Sequence, residues 1–474
     1  MSKLTKKQLK DLQEKLTVKS VSVWEKANTK QRQEIMALGE RYKDFLSWAK
    51  TERLAVEFIR RRAQEEGFQE LAPGIKADRV FACYRNKMIA VAVRGRRPLS
   101  EGLHLIGSHI DAPRLDLKMH PLYEDQDLAF LKTHYYGGIK KYQWFARPLA
   151  LCGVVCTADG RSVAVNIGDD PEDPVFTVLD LLPHLSRKSQ ESKKLSEAFE
   201  AERMNLLIGG LPLDSDEKGE KVKLSVLQHL YEHYGFSEAD LISAELEAVP
   251  AGPARDVGLD RALVGGYGQD DRASSYALME AILGVEPPEA PALALFVDKE
   301  EIGSDGATSA RGRFLEFLVA DLLDAWGEEA NYLRVMRCLA SSRCLSADAN
   351  AAFDPDYPEV HEKRNAAFLG RGVSLTKYTG SGGKYAANDA DAEYVAWLRK
   401  VWDQAGVVWQ AAGMGKVDEG GGGTIAKHLA VYGMDVVDVG PPLLSMHSPF
   451  EICAKADLYS SREAYRAFFQ APPA

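Results

Sequence analysis

Long apolar runs are absent from this 474-residue chain. That excludes a helix of bilayer length, which needs about 20 consecutive apolar residues. The opening segment, MSKLTKKQLKDLQEKL, is charged from its start and has no apolar h-region, so no secretory signal is expected there. Cysteine is sparse: Cys83, Cys152, Cys156, Cys338, Cys344 and Cys453 are scattered with no export signal, which argues against a disulfide framework. Cys152 and Cys156, four apart in LALCGVVCTA, read as buried core thiols, because a cysteine zinc site wants two further partners nearby. Basic excess is also missing. A net charge of −10 argues against a nucleic-acid surface. The expectation is a cytoplasmic protein that binds neither membrane nor nucleic acid. No phosphate loop is present either: EGGGGTIAK lacks the Walker spacing, and GGYGQD lacks the dinucleotide fingerprint.

The chain is too long for one average domain and suits two. Residues 3–66 look helical; in TERLAVEFIRRRAQEEGF, Thr51 is placed to cap the helix and Gly67 to stop it. VFACYRN and KMIAVAVRG read as strands around a turn at Asn86 and Lys87, with GLHLIGSHI as the third strand of the run. After Lys118 the residues become aromatic and β-branched, with turn signals at Gly137-Gly138 and Asp159-Gly160. SRKSQESKKLSEAFEAERMN within this stretch reads as an exposed segment. Residues 119–257 are expected to form an inserted β-rich domain, between catalytic segments 1–118 and 258–474. The α/β pattern resumes with SSYALMEAIL as helix and ALALFVDKEEIG and VVDVGPPLLSMHS as strand and loop.

Polar residues cluster where the apolar runs end. His109 and Asp111 follow one such run, Glu300 and Glu301 another; Asp270 and Asp271 follow a glycine-rich turn, and Asp348 and His447 lie in SADAN and LLSMHSP. In α/β sheets, sites gather at the carboxyl ends of strands. Two histidines with several carboxylates are the donor set of a paired divalent-metal centre, which hydrolyses amides or phosphate esters. His109 is a ligand candidate, with Asp111 orienting its ring. Asp270 is placed to bridge two ions, and Asp271 to cap the following helix. Glu300 and Glu301 diverge if they sit on an extended turn, so one can bind metal while the other takes a proton from water. Each residue alone has a commoner structural explanation; the set does not.

The order HxD, DD, EE, SAD, MHS, with the flanks GSHIDAPRL, VDKEEIGSDGA, SADANAAFDPDYPEVHEKRN and LLSMHSPFEICA, resembles the aspartyl aminopeptidase and vacuolar aminopeptidase I family of zinc metallopeptidases. KTHYYGGIKKYQW is most similar to its bacterial branch. The resemblance covers nearly the whole chain. It implies a catalytic domain with a mixed sheet sandwiched by helices, and an inserted domain that mediates dimerisation, with dimers assembling into a tetrahedral dodecamer. It implies His109, Asp270, Glu301, Asp348 and His447 as ligands of two zinc ions, for which manganese or cobalt could substitute, and Glu300 as general base. It places His184 in a neighbour's active site, and Lys384 is a candidate partner for an acidic substrate side chain. Relatives often carry Asp-Asn where this chain has Asp270-Asp271, and a different loop where it has EGGGGTIAK, which puts the acidic N-terminal preference in question. The expected activity is removal of one N-terminal residue from a peptide. The competing readings are a related carboxypeptidase or N-deacylase, and a non-enzymatic shell protein that binds peptides.

Overall fold

The computed structural model describes residues 4–472; residues 1–3 and 473–474, at the outer ends of the two expected catalytic segments, lie outside the described residues. Four parallel strands form the centre of a nine-stranded sheet. They are β1 (His104–His109), β2 (Ala292–Val297), β3 (Arg343–Ala347) and β4 (Asp435–Gly440), arranged in space as β2-β1-β3-β4. The hairpin Arg79–Tyr84 and Met88–Val93 lies antiparallel outside β2. Arg85 (φ 53°) and Asn86 (φ 52°) make its turn, two left-handed residues of the kind that match strand twist. β1 therefore does not continue the hairpin: β2, from much later in the chain, separates them.

The central strands read as unbroken apolar runs because both faces of the sheet are covered. Alternation decides which face each residue serves. On β2, Ala292, Ala294 and Phe296 pack with one set of helices, and Leu293, Leu295 and Val297 with another. The helix α1 (Gln269–Leu283) runs under β1, sandwiched between the sheet and the helix Lys455–Phe469. All its residues but Glu280 are buried. That explains why its sequence shows no polar face.

The expected long helical start is four helices: Lys6–Leu16, Val23–Lys26, Thr29–Trp48 and Glu52–Glu65. Thr51 caps the last, its hydroxyl accepting the N–H of Leu54 at 3.3 Å. A second, antiparallel sheet of seven strands runs from Arg114–Asp125 to Ala244–Pro250, with the helix Lys221–Tyr234 packed on it. The chain enters this unit at Arg114, earlier than the composition change after Lys118 suggests, and leaves it at Pro250. A third, small sheet of five strands joins Arg255–Val257 and Leu263–Gly266 to Glu451–Ala454, Pro442–Leu444 and Asn350–Ala351. Of the thiols in LALCGVVCTA, Cys152 is buried as expected, but Cys156 is exposed. It ends the strand Leu149–Cys156, beyond the cover of the core. No helix among the described residues is long and apolar enough to cross a membrane.

Candidate metal centre

The carboxyl ends of the parallel strands bring the polar residues together. His109 is the last residue of β1. After β2, Lys299 (φ 68°) reverses the chain into a 3₁₀ turn, Glu300–Ile302. Glu300 and Glu301 thus sit on a tight helical turn, not an extended one; their side chains diverge because three residues complete each turn. Asp348 directly follows β3, and its N–H bonds the carbonyl of Val439 on β4 at 3.0 Å. His447 lies in the loop between Pro442–Leu444 and Glu451–Ala454. Asp270 opens α1.

Asp270 stands between the histidines. Its Oδ1 is 3.3 Å from Nε2 of His109, and its Oδ2 is 3.2 Å from Nε2 of His447. Two donor groups result, His109-Asp270-Asp348 and Asp270-Glu301-His447, each with its ligand atoms within 4.8 Å of one another. Oδ1 of Asp270 and Oε1 of Glu301 are buried and have no hydrogen-bond partner among the described residues. Buried carboxylate oxygens without donors are costly, and a divalent cation is the partner this donor set fits.

The outer ring nitrogens are tied down. Nδ1 of His109 lies 3.1 Å from the backbone oxygen of Asp111 and 3.3 Å from its Oδ1. Nδ1 of His447 lies 2.9 Å from the backbone oxygen of Gly138. Donation from each Nδ1–H leaves Nε2 as the nitrogen that faces Asp270, the one that a metal would take in place of its proton. Asp111 also accepts the N–H of Glu300 at 3.1 Å and of Glu301 at 3.2 Å, and the phenol of Tyr136 at 2.8 Å. Glu451 accepts the N–H of His447 at 2.7 Å and of Asp270 at 3.2 Å. Tyr136 and Glu451 carry no signal in the sequence that separates them from other strand residues, and Gly138 is visible there only as half of a turn signal.

Without a cation, the cluster's charge distorts every titration. Burial, and the neighbouring carboxylates of Asp111 and Asp270, push Glu300 up to about 7. Burial and the charge of Asp270 hold Glu301 and Asp348 well above the usual carboxylate range. Burial opposes charge on His447, yet Asp270 and Glu301 raise it to about 10. Burial likewise disfavours the charged form of Asp270, but His109 and His447 overcome it and hold its pKa low. Asp271 does not cap α1. It is fully buried, and neither carboxylate oxygen has a hydrogen-bond partner among the described residues. Burial, reinforced by Asp270, keeps its pKa high.

A cavity of about 400 Å³ opens over the centre, lined by the ligand candidates, Glu300, Gly421–Gly423, Met414, Met446 and Lys427. The glycine-rich loop is thus a wall of the site. A Cβ added to Gly423 would lie 3.0 Å from Nζ of Lys427, which places that ammonium at the wall. Lys384 does not line this cavity; its ammonium pairs with Asp389 at 2.7 Å. His184, in the short helix Pro183–Ser186, is exposed and outside the cavity as well.

Carboxylate and imidazole donors gathered around one shared aspartate, beside Glu300 and an open cavity, fit a hydrolytic metal centre. Comparison with known proteins gives the family. Residues 45–469 match the family described as aminopeptidase I zinc metalloprotease (M18). A probable aminopeptidase of that family from Clostridium acetobutylicum is 49% identical over 454 residues, covering 94% of this chain and 97% of its own. The crystal structure of the Thermotoga maritima family member superposes with a TM-score of 0.91 at 47% identity, covering 96% of this chain and all of the other. The S. cerevisiae mApe1 dodecamer structure shares the fold, at TM-score 0.74 and 21% identity, over 92% and 97% of the two chains. The chain belongs to the aminopeptidase I zinc metalloprotease family. It is a metalloaminopeptidase that removes N-terminal residues; the carboxypeptidase, N-deacylase and non-enzymatic readings find no support.

Proposed function

We propose that each subunit holds two zinc ions, one on His109 and Asp348, the other on Glu301 and His447, with Asp270 bridging. The sharing of Asp270 by two donor groups carries this reading. First-row metals compete for such sites, so manganese or cobalt would also fill them. The bound pair supplies Lewis acidity toward water and toward the scissile carbonyl. Glu300 takes the proton of the attacking water as the new C–O bond forms, and gives it to the amine as the C–N bond breaks. Its place on the cavity wall without a ligand role supports that assignment. Asp111 acts through others, by holding His109 and the Glu300 turn.

The test is zinc content per chain together with cleavage of aminoacyl-p-nitroanilides and matching N-acetylated peptides, before and after chelation. The expected result is two zinc per chain and release from free-amine substrates alone. Activity should be lost with chelator and restored by zinc, manganese or cobalt. Full activity with a single zinc would overturn the paired reading.

An acidic N-terminal residue is the proposed preference, with Lys427 rather than Lys384 as the cation that meets its carboxylate. Lys427 is the lysine that lines the cavity. The proposed assembly is a homo-oligomer built through the antiparallel-sheet domain, up to a dodecamer of tetrahedral form as the family resemblance implies. Leu179, Leu181, Leu182 and Leu185 surround His184 and are 41–65% exposed. An apolar patch of that kind favours burial against a second copy, which would carry His184 toward a neighbour's cavity. A cytoplasmic location is proposed with it, since none of the six cysteines is paired.

A further inference from the structure

One strand of the antiparallel sheet, Leu128–Tyr136, runs directly into the metal centre. Its last residue, Tyr136, donates its phenol to Asp111. Asp111 faces Nδ1 of His109 and receives the amides of Glu300 and Glu301. Two residues on, the carbonyl of Gly138 takes the Nδ1–H of His447. Gly137 (φ 73°) turns the chain between them. The approach is close. A Cβ on Gly137 would lie 3.3 Å from Cβ of Glu301, and one on Gly138 would lie 3.3 Å from Nδ1 of His447. Tyr136 is braced in turn: the Arg114 guanidinium lies 3.8 Å from its ring centroid. Arg114 is 6% exposed and paired with Asp116 at 2.8 Å and Glu247 at 3.2 Å, both from the same sheet.

We propose that Tyr136-Gly137-Gly138 is a positioning segment through which the antiparallel-sheet domain sets the orientation of both histidines and of the Glu300 turn. This rests on His109 and His447 being zinc ligands. The strand ends β1 and β2 deliver His109 and the two glutamates to the site, but they do not restrain ring rotation. The restraint on His447 comes directly from Gly138; that on His109 is shared by the backbone oxygen of Asp111, 3.1 Å from Nδ1, and by the Asp111 carboxylate, 3.3 Å away, which Tyr136 holds. A histidine ligand whose far nitrogen loses its partner typically loses ten- to hundredfold in metal affinity. A side chain at either glycine would press on a ligand candidate, which would have to shift by a few tenths of an ångström.

The test uses Tyr136→Phe and Gly138→Ala in the full chain, with four readouts. These are zinc affinity by chelator competition, the visible spectrum of the cobalt-substituted protein, kcat and KM separately, and thermal unfolding of the metal-free protein. Tyr136→Phe is expected to weaken zinc binding by about tenfold, the low end of the range for groups that orient a ligand, shift the cobalt bands, and lower kcat with KM nearly unchanged. The metal-free unfolding temperature should stay where it was. Gly138→Ala is expected to change the cobalt bands through His447. Wild-type zinc affinity and cobalt spectrum in both variants would overturn the proposal. So would a fall in metal-free stability that fully accounts for the weaker binding. Zinc count is read on the unmodified chain and ring orientation on the variants, so failure of the two-zinc reading is separable from failure of this one.

Discussion

The carboxylate of Asp111 accepts the backbone N–H of Glu300 at 3.1 Å, across 189 residues of chain. The residue that orients a histidine therefore also fixes the turn that carries the proposed general base. Replacing each partner should produce different losses. Glu300→Gln should keep its zinc and lose about two to four orders of magnitude in kcat, the usual size of general-base catalysis. Asp111→Asn puts an amide donor against one of the two N–H groups, which meet different oxygens of Asp111, so it should lose zinc affinity as well as rate. Metal analysis beside steady-state kinetics separates the two; near-normal turnover by Glu300→Gln would remove it from the mechanism.

Metal removal should destabilise the protein, and more so as pH rises. Zinc present at about a thousand times its dissociation constant contributes about 4 kcal/mol. In the metal-free chain the folded-state pKa of Glu300 is raised to about 7, and those of Glu301 and Asp348 are raised as well. An acid with a raised folded pKa contributes stability that is complete below its unfolded value and is lost as pH rises through the folded value. His447, raised to about 10, acts in the same direction, from its unfolded value upward. Asp270, held low, changes only at acid pH, outside this window. Unfolding temperatures of the chelated protein should fall between about pH 5 and about pH 8 while the zinc-loaded protein changes little. A flat metal-free profile would contradict the charge balance described for the cluster.

Lys427→Gln should raise KM for substrates with an N-terminal aspartate or glutamate by about tenfold or more, the scale of a charge-assisted hydrogen bond of about 1.5–3 kcal/mol. Apolar N-terminal residues, which have Met414 and Met446 to meet them, should be unaffected. Lys384→Gln should change neither, since its ammonium is engaged by Asp389. Equal losses on acidic and apolar substrates would remove Lys427 from selectivity.

At the opposite end of β1, His104 is 3% exposed and packs against Phe468 at a centroid distance of 4.8 Å. Burial first, and the nearby Arg343 second, lower its pKa to about 4. The unfolded chain takes a proton there near the ordinary value of about 6.5, so stability is lost as pH falls from that value toward about 4. The shift corresponds to about 3 kcal/mol. Urea unfolding of the chelated protein at several pH values, compared with His104→Gln, should show the extra acid loss only in the unmodified chain. Parallel curves would exclude His104 as its source.

Every proposed ligand was legible because each follows an apolar run or a glycine turn, and strand ends are where a parallel sheet collects side chains. His109 after GLHLIGS and Glu301 after ALALFVD are the clearest cases. Asp271 was not legible. A second aspartate before a helix reads as a cap, yet it is buried with both oxygens unpartnered. Lys384 stands out by its flanks, whereas Lys427, the second residue of the short helix after the glycine-rich loop, reads in sequence as an ordinary helix lysine. Cys156 has the spacing of a core thiol and the exposure of a strand end.

The sequence by itself determined the α/β class, through apolar runs that alternate with helical segments and end in polar residues, and the donor types that a divalent-metal centre needs. Tertiary structure alone decided how those donors pair, which oxygen of Asp270 faces which histidine, and which groups hold the outer ring nitrogens. The reason is distance along the chain. Apolar periodicity is a local property, carried by neighbours within one element. Tyr136, Gly138 and Glu451 act on residues that lie far away in sequence, or through backbone groups that no side chain encodes. Only the packing of three sheets against one another brings them to the same few ångströms.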